Sequence, residues 1–393
     1  MTWRLGVLAI ASAMIAAGSS LAAEPIKVGI LVTTTGPYAP WGKDYQEAIG
    51  LYLDQHNGKD GNPTVEVIYR DVGGDQPARA RQLAQELIVR DHVVVLGGLE
   101  FTTTVLAVSD VINEAKIPFV IFNSATDFVT DKSPYFVRPA FTMWTTAATS
   151  GKWAASQGLK TATIISADYA PGTDAITDFT KGITSGGGKV VDVIKVPMGT
   201  TDFSSYFQRI QDDNAQLLYV FMPGGPMSIG VAKDFTDRGL AKKGMKYMGA
   251  AAPDADLKAV GDGSIGYLAI TGYTPALDNP TNKEFRAAFA AKYGKDVPDF
   301  AAVAAYDGMH LIFHMLKATG GKPDTDAMIA SVKGFSWESP RGPAQIDAKS
   351  REITENLYLT KVEKVNGELT NVPVETIPNV RNDWHDLNPP KSN

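Results

Sequence analysis

The chain contains no cysteine in its 393 residues. That excludes a disulfide, a thiolate nucleophile and a lipid-anchoring thiol, even in an exported compartment that would permit them. An excess of positive charge is missing too: 37 Lys and Arg stand against 43 Asp and Glu, for a net charge of -6. The basic residues are scattered rather than massed, so there is no electrostatic footprint for nucleic acid. No Gly-x-Ser-x-Gly elbow occurs, and the five His residues are not partnered with Ser or Asp in a recognisable motif. No enzyme activity and no cofactor are expected. After the first 23 residues no apolar run approaches the ~18 residues a spanning helix needs.

What is present begins with a leader. Met1 to Ala23 has a basic start at Arg4, an apolar run from Leu5 to Ala17 and small residues at Ser19, Ser20, Ala22 and Ala23, the pattern of a secretory signal peptide cleaved near Ala22 or Ala23. The remainder is long for one core, so two domains are expected. Strand patterns at 26–33, 64–69, 93–96 and 118–122 alternate with helical patterns at 44–56, 76–90 and 105–115. A second alternating series runs from 161 to 237, and the two series share no sequence repeat. Such alternation predicts an α/β fold of parallel sheets covered on both faces. Helices are predicted at 282–293 and 301–319, and Asn366-Gly367 predicts a hairpin between two late strands. The end, rich in Asn, Asp and Pro, reads as a loose tail from about 377 to 393.

Ligands of open α/β sheets bind beyond the carboxyl ends of the strands, where loops enter helices. Val93 to Thr104 has that form: an apolar strand, Gly97-Gly98, then Thr102-Thr103-Thr104 where a helix should open. Free helix N–H groups and threonine hydroxyls would hold a carboxylate there, although a threonine that merely caps the helix is the plainer alternative. Asn123-Ser124-Ala125-Thr126-Asp127 repeats the chemistry after the next strand. Trp41, Phe101, Phe122 and Tyr169 lie on or beside such loops and offer aromatic walls, unless each packs under its own loop. His310 and His314 share a helix face without an evident third metal ligand. Asp71 and Asp75 bracket a glycine turn, with helix capping the more ordinary role. Gly186-Gly187-Gly188 follows a helix and precedes a strand, the wrong order for a phosphate cradle, and is read as a turn.

Ile30 to Pro37 (ILVTTTGP) with Trp41-Gly42, Asp71 to Leu87, Gly97 to Thr104 and Tyr135-Phe136-Val137-Arg138, in that order behind a leader, resemble the periplasmic leucine/isoleucine/valine-binding protein family of ABC importers. The resemblance covers about 26 to 373. It implies a type I periplasmic-binding fold, with two doubly wound parallel-sheet lobes joined by three crossings near 139–142, 271–275 and 347–356. The lobes would comprise 24–140 with 275–347, and 141–274 with 348–376. It implies a monomer in the periplasm that closes on a small carboxylate and delivers it to a membrane permease. Carried over by position, the ligand carboxylate falls to Thr102 or Thr103 and to Ser124, Ala125 and Thr126, with Trp41 over the ligand and Tyr169 on the second lobe; Phe101 joins them as a candidate from its own place on the loop. Where amino-acid-binding members place an acid to pair with the ammonium, this chain has Ala250-Ala251-Ala252, with Asp254 beyond, and Gly225 sits in a loop with more room. A buried ammonium without a counter-charge costs several kcal/mol in order of magnitude, which favours an aromatic or hydroxyaromatic acid. An amino-acid binder using Asp254, and a ligand-sensing receptor module, are the alternatives. The cysteine pair of some members is missing, with Gly74 and Glu100 near those places.

Overall fold

A computed structural model describes residues 24–249, 254–294 and 297–388; the leader and Ala250 to Ala252 lie outside that set. Among the described residues, fourteen strands run in chain order as β1 (Ile26–Val32), β2 (Val65–Asp71), β3 (Val95–Gly98), β4 (Phe119–Ile121), β5 (Phe136–Val137), β6 (Thr161–Ala167), β7 (Lys189–Val196), β8 (Leu217–Phe221), β9 (Lys246–Gly249), β10 (Leu268–Thr271), β11 (Ser336–Ser339), β12 (Gly342–Ile346), β13 (Ile353–Val365) and β14 (Glu368–Val380). They form a five-stranded parallel sheet ordered β2-β1-β3-β4-β5 and a nine-stranded mixed sheet ordered β11-β12-β13-β10-β9-β8-β6-β7, with β14 paired to β13. The strands β7, β6, β8, β9 and β10 are mutually parallel, and β13 joins β10 antiparallel.

The central parallel strands of both sheets are buried on two faces, as such strands must be. In β1, Val28, Ile30 and Val32 enter one buried cluster, and Leu31 enters the cluster on the opposite face. The helix Phe300–Ala318 supplies Ala301, Val303, Leu311 and Leu316 to the first of these clusters, which also takes up Trp337, Ala344, Ile346 and Ile353. The late helices therefore pack on the first sheet. Strand β13 begins in that core at Ile353 and ends in the second lobe's cores at Leu357, Leu359 and Val362. Chain also passes between the lobes after β5, where Trp144–Ala148 forms a π-helical turn, and between Thr271 and Tyr273.

The hairpin at Asn366-Gly367 is present, with φ of 51° and 89°. Beside the unexpected helix Asp254–Val260, three further elements differ from the sequence reading. Ser336–Ser339 and the helix Thr325–Val332 were not expected, being too short for periodicity to stand out. The loose tail is the third. Strand β14 continues to Val380 opposite Glu355, and Trp384–Leu387 forms a helical turn with Asn382 buried before it. Asn and Asp, read as signs of looseness, are used there as specific hydrogen-bonding groups.

Candidate functional site

The double-glycine turn after β3 is forced by a close approach. Gly98 has φ 106°, and a Cβ there would fall 2.0 Å from the Leu31 carbonyl oxygen. Leu99 follows at φ 62°, and the helix Thr102–Ala115 opens from Phe101 with no side-chain cap. Thr104 donates to the Phe101 carbonyl at 2.7 Å instead of capping. The simple capping role is thus excluded for the N-cap position. The N–H groups of this helix end carry the partial positive charge that favours an anion.

Thr102 hydroxyl lies 3.0 Å from Ser124 Oγ and donates to Thr126 Oγ1 at 3.2 Å. All three side chains are shut off from solvent. Ser124 sits at φ 92°, a region non-glycine residues rarely occupy, so the second loop is held in strain beside the first. The Thr126 hydroxyl is also bonded to Asp174 on the second lobe's helix Ala170–Ser185. The hydroxyl protons thus run in a chain from Ser124 through Thr102 and Thr126 to Asp174, so the helix N–H groups are the donors that stand open, and Thr102 or Ser124 would have to turn its hydroxyl to meet a carboxylate. Ala125 contributes backbone, its carbonyl accepting from Met143 N–H at 2.8 Å. Thr103 points elsewhere: its hydroxyl donates to Asp75 at the rim, away from the other two, because successive helical residues point about 100° apart.

The aromatic residues divide likewise. Trp41, Tyr38 and Phe101 form one group, with ring centres 4.9 Å apart for Tyr38 and Phe101 and 5.4 Å for Tyr38 and Trp41. Phe300 closes edge-on over Trp41 at 5.6 Å. From the second lobe, Tyr169 stacks with Phe221 at 6.0 Å. Burial, then Tyr38 and Asp75, push the Tyr169 phenol up, which places it against the first lobe's rim. Phe122 instead packs against Tyr45 in the core. Tyr38, Phe300 and Phe221 were missed by the sequence reading, since an aromatic residue in a loop has no pattern that tells wall from core. A cavity of about 1530 Å³ opens between the lobes beside Phe300, lined by Thr34, Lys43, Thr271 and Asn371 among others. It does not reach the enclosed hydroxyls.

Across the cleft, the Gly225 N–H is already taken, donating to Asp256 at 2.9 Å. That removes Gly225 as a free donor and occupies an acid near the end of β9. Ala251 lies outside the described residues, as does the side chain of Asp254.

Burial makes two neighbouring carboxyl groups near these loops harder to ionise. Burial, then the Asp178 charge, raise Asp127 well above the usual carboxylate range, and burial pushes Asp178 up to about 6. One proton held between them limits repulsion of an anionic ligand. Glu100 is buried and accepts from Thr33 N–H and Thr33 Oγ1, each at 2.9 Å, while Gly74 N–H donates to the same Thr33 hydroxyl at 3.2 Å. A hydrogen-bonded bridge thus stands at Gly74 and Glu100. Burial pushes Glu100 up to about 7 against the pull of those hydrogen bonds. An acid raised in the folded state makes stability fall as pH climbs from its unfolded value of about 4.3 through 7. Glu100→Gln should accordingly raise the melting temperature more at pH 8 than at pH 5; an equal shift at both would show that Glu100 titrates normally.

Other acidic and histidine candidates are structural. Asp71 accepts from Thr34 N–H at 2.8 Å and Thr35 Oγ1 at 2.7 Å, fixing the first loop. His314 stacks on Phe335 at 3.7 Å and His310 meets the Tyr52 hydroxyl at 3.2 Å. Among the described residues no group of three His, Cys, Asp or Glu is placed to hold a metal. None of their helices is long and apolar enough to cross a membrane.

Two α/β lobes that share their crossing strands, with an uncapped helix end and buried hydroxyls where they meet, have the layout of a solute receptor. Residues 25–368 match the periplasmic binding protein family model, and the chain belongs to that family. It is 39% identical over 364 residues to the Leu/Ile/Val-binding protein homolog 6 of Brucella melitensis, covering 92% of this chain and 93% of that one. A solute-binding protein of an ABC transporter from Rhodopseudomonas palustris HaA2, in complex with p-hydroxybenzoic acid, superposes with a TM-score of 0.89 at 41% identity, over 91% of this chain and 98% of the other. The corresponding protein of the BisB5 strain, in complex with 3,4-dihydroxybenzoic acid, gives 0.87 at 40% identity, over 92% and 99%. The architecture is the type I periplasmic-binding fold.

Proposed function

We propose that this chain is the exported receptor of an ABC importer for hydroxybenzoate-type aromatic acids, acting as a monomer that loses its leader near Ala22 or Ala23. The observation that carries this reading is the pairing of Thr102 and Ser124 hydroxyls at an uncapped helix end with the ring group of Tyr38, Trp41 and Phe101. One part suits a carboxylate and the other a flat ring. Tyr169 is assigned to the far face of that ring. Asp256, the acid described near β9, is occupied by Gly225, which supports a ligand without an ammonium. Relatives with about two-fifths of their residues in common are bound to p-hydroxybenzoic and 3,4-dihydroxybenzoic acids.

The mature protein should be stabilised by 4-hydroxybenzoate in a thermal-shift series, by roughly 2.7 kcal/mol when the ligand is at about 100 times its dissociation constant. Leucine and valine should give no shift. The reverse pattern would replace the aromatic acid by a branched-chain amino acid and move attention to Asp254.

A further inference from the structure

The hydroxyl loop at 123–127 does not hold itself. Arg138, fully buried, donates through one nitrogen to the Ser124 carbonyl at 2.5 Å and the Thr126 carbonyl at 2.6 Å, and through the other to the Asp127 carbonyl at 3.3 Å. The second nitrogen also pairs with Glu352, just before β13. Glu352 is itself fully enclosed, with Oε1 taking a further bond from Thr130 at 3.0 Å. Its Oε2 is satisfied from the C-terminal segment: Asn382 donates at 2.6 Å and His385 lies at 3.2 Å. A second arm runs from the same segment, since Asp383 accepts from the Trp144 indole, and the Trp144 backbone N–H donates to Asp127 Oδ1 at 2.8 Å.

We infer that residues 382–385 act as a positioning latch for the carboxylate-binding loop, with Asn382 and His385 fixing Glu352, and through it Arg138 and the strained Ser124. The latch rests on the reading of Ser124 as a ligand donor, but the contacts exist without any ligand. Nothing else supplies Glu352 Oε2 among the described bonds. The groups facing His385 are Asp131 on the turn Val129–Lys132, at 3.2 Å, and Glu352, with Arg351, Lys132 and Arg138 behind them. On its own segment, Asp386 is tied to Lys349 and Arg381. Burial pulls the imidazole down, but the bonds to Asp131 and Glu352 outweigh it and hold His385 up at about 9. A cation therefore closes the carboxylate shell throughout the neutral range. Positive charge, rather than the ring, is what the position requires.

The test uses the full mature chain and three variants: His385→Leu, His385→Lys and a stop after Arg381. Amide exchange is followed at Met143 and Trp144, whose N–H groups donate into the loop at Ala125 and Asp127. His385→Leu should speed exchange at these two amides about tenfold and leave β6 unchanged, and His385→Lys should restore most of the protection. The stop variant, where it folds, should match or exceed the leucine variant. Weakening of 4-hydroxybenzoate binding should follow the same order. Unchanged protection at Met143 and Trp144 in the leucine variant, or no recovery with lysine, would overturn the latch. A wild-type chain that ignores 4-hydroxybenzoate would instead remove the ligand assignment and leave the exchange result standing.

Discussion

Thr102→Val should weaken 4-hydroxybenzoate binding by roughly 10- to 150-fold, the equivalent of about 1.5 to 3 kcal/mol for a hydrogen bond to a charged group. Valine keeps the shape and removes the hydroxyl that stands between Ser124 and Thr126. The loss exceeds one bond's worth in principle, because Ser124 also loses the neighbour that orients its own hydroxyl. Thr103→Val is the control. Its hydroxyl goes to Asp75 at the rim, so affinity should change less than threefold. Titration calorimetry on both variants decides the matter, and an equal loss in the two would move the cradle outward to the rim.

The largest expected effect on stability belongs to Arg341→Met. Arg341 is enclosed, with its guanidinium 2.9 Å from Asp307 on the helix Phe300–Ala318 and 3.0 Å from Glu355 on β13. Asp307 further accepts from the Trp337 indole at 2.9 Å and the Ser339 hydroxyl at 2.8 Å. Removing the arginine strands two buried carboxylates, and breaking a buried pair typically costs about 3 to 5 kcal/mol. Urea unfolding at pH 7 should show that loss as a lower midpoint at unchanged slope. Much of it should return at acidic pH, where the stranded acids can take protons. A variant as stable as the parent would mean that the contacts of Arg341 with Asp307 and Glu355 add nothing net to the fold.

Much of this architecture is written in short-range pattern. The strand-helix alternation, the Asn366-Gly367 hairpin and the hydroxyl runs after β3 and β4 each have a local physical cause, and each lies where the sequence places it. Membership of a solute-receptor family likewise followed from loop motifs in order. What was illegible depends on contacts between distant residues. The choice between Thr102 and Thr103 needs the helix phase and the position of Asp75. Gly225 gives its N–H to Asp256, 31 positions away, a bond that no local pattern announces. His385 lies 254 positions from Asp131 and 33 from Glu352, and no periodicity announces such a pairing. Composition pointed the wrong way at the C-terminal end, because the residues that make a loop polar are those that build a buried polar network.

The path of β13 bears on how the molecule can come apart. This strand enters one core at Ile353 and another at Leu357 and Leu359, while β14 lies along nearly its whole length. Neither lobe is a contiguous stretch of chain, and neither owns the ribbon. Melting one lobe strips the ribbon's apolar face from the other, so the two halves lose order together. Whatever movement the crossings allow, no excursion of one lobe can proceed to unfolding without the consent of its neighbour.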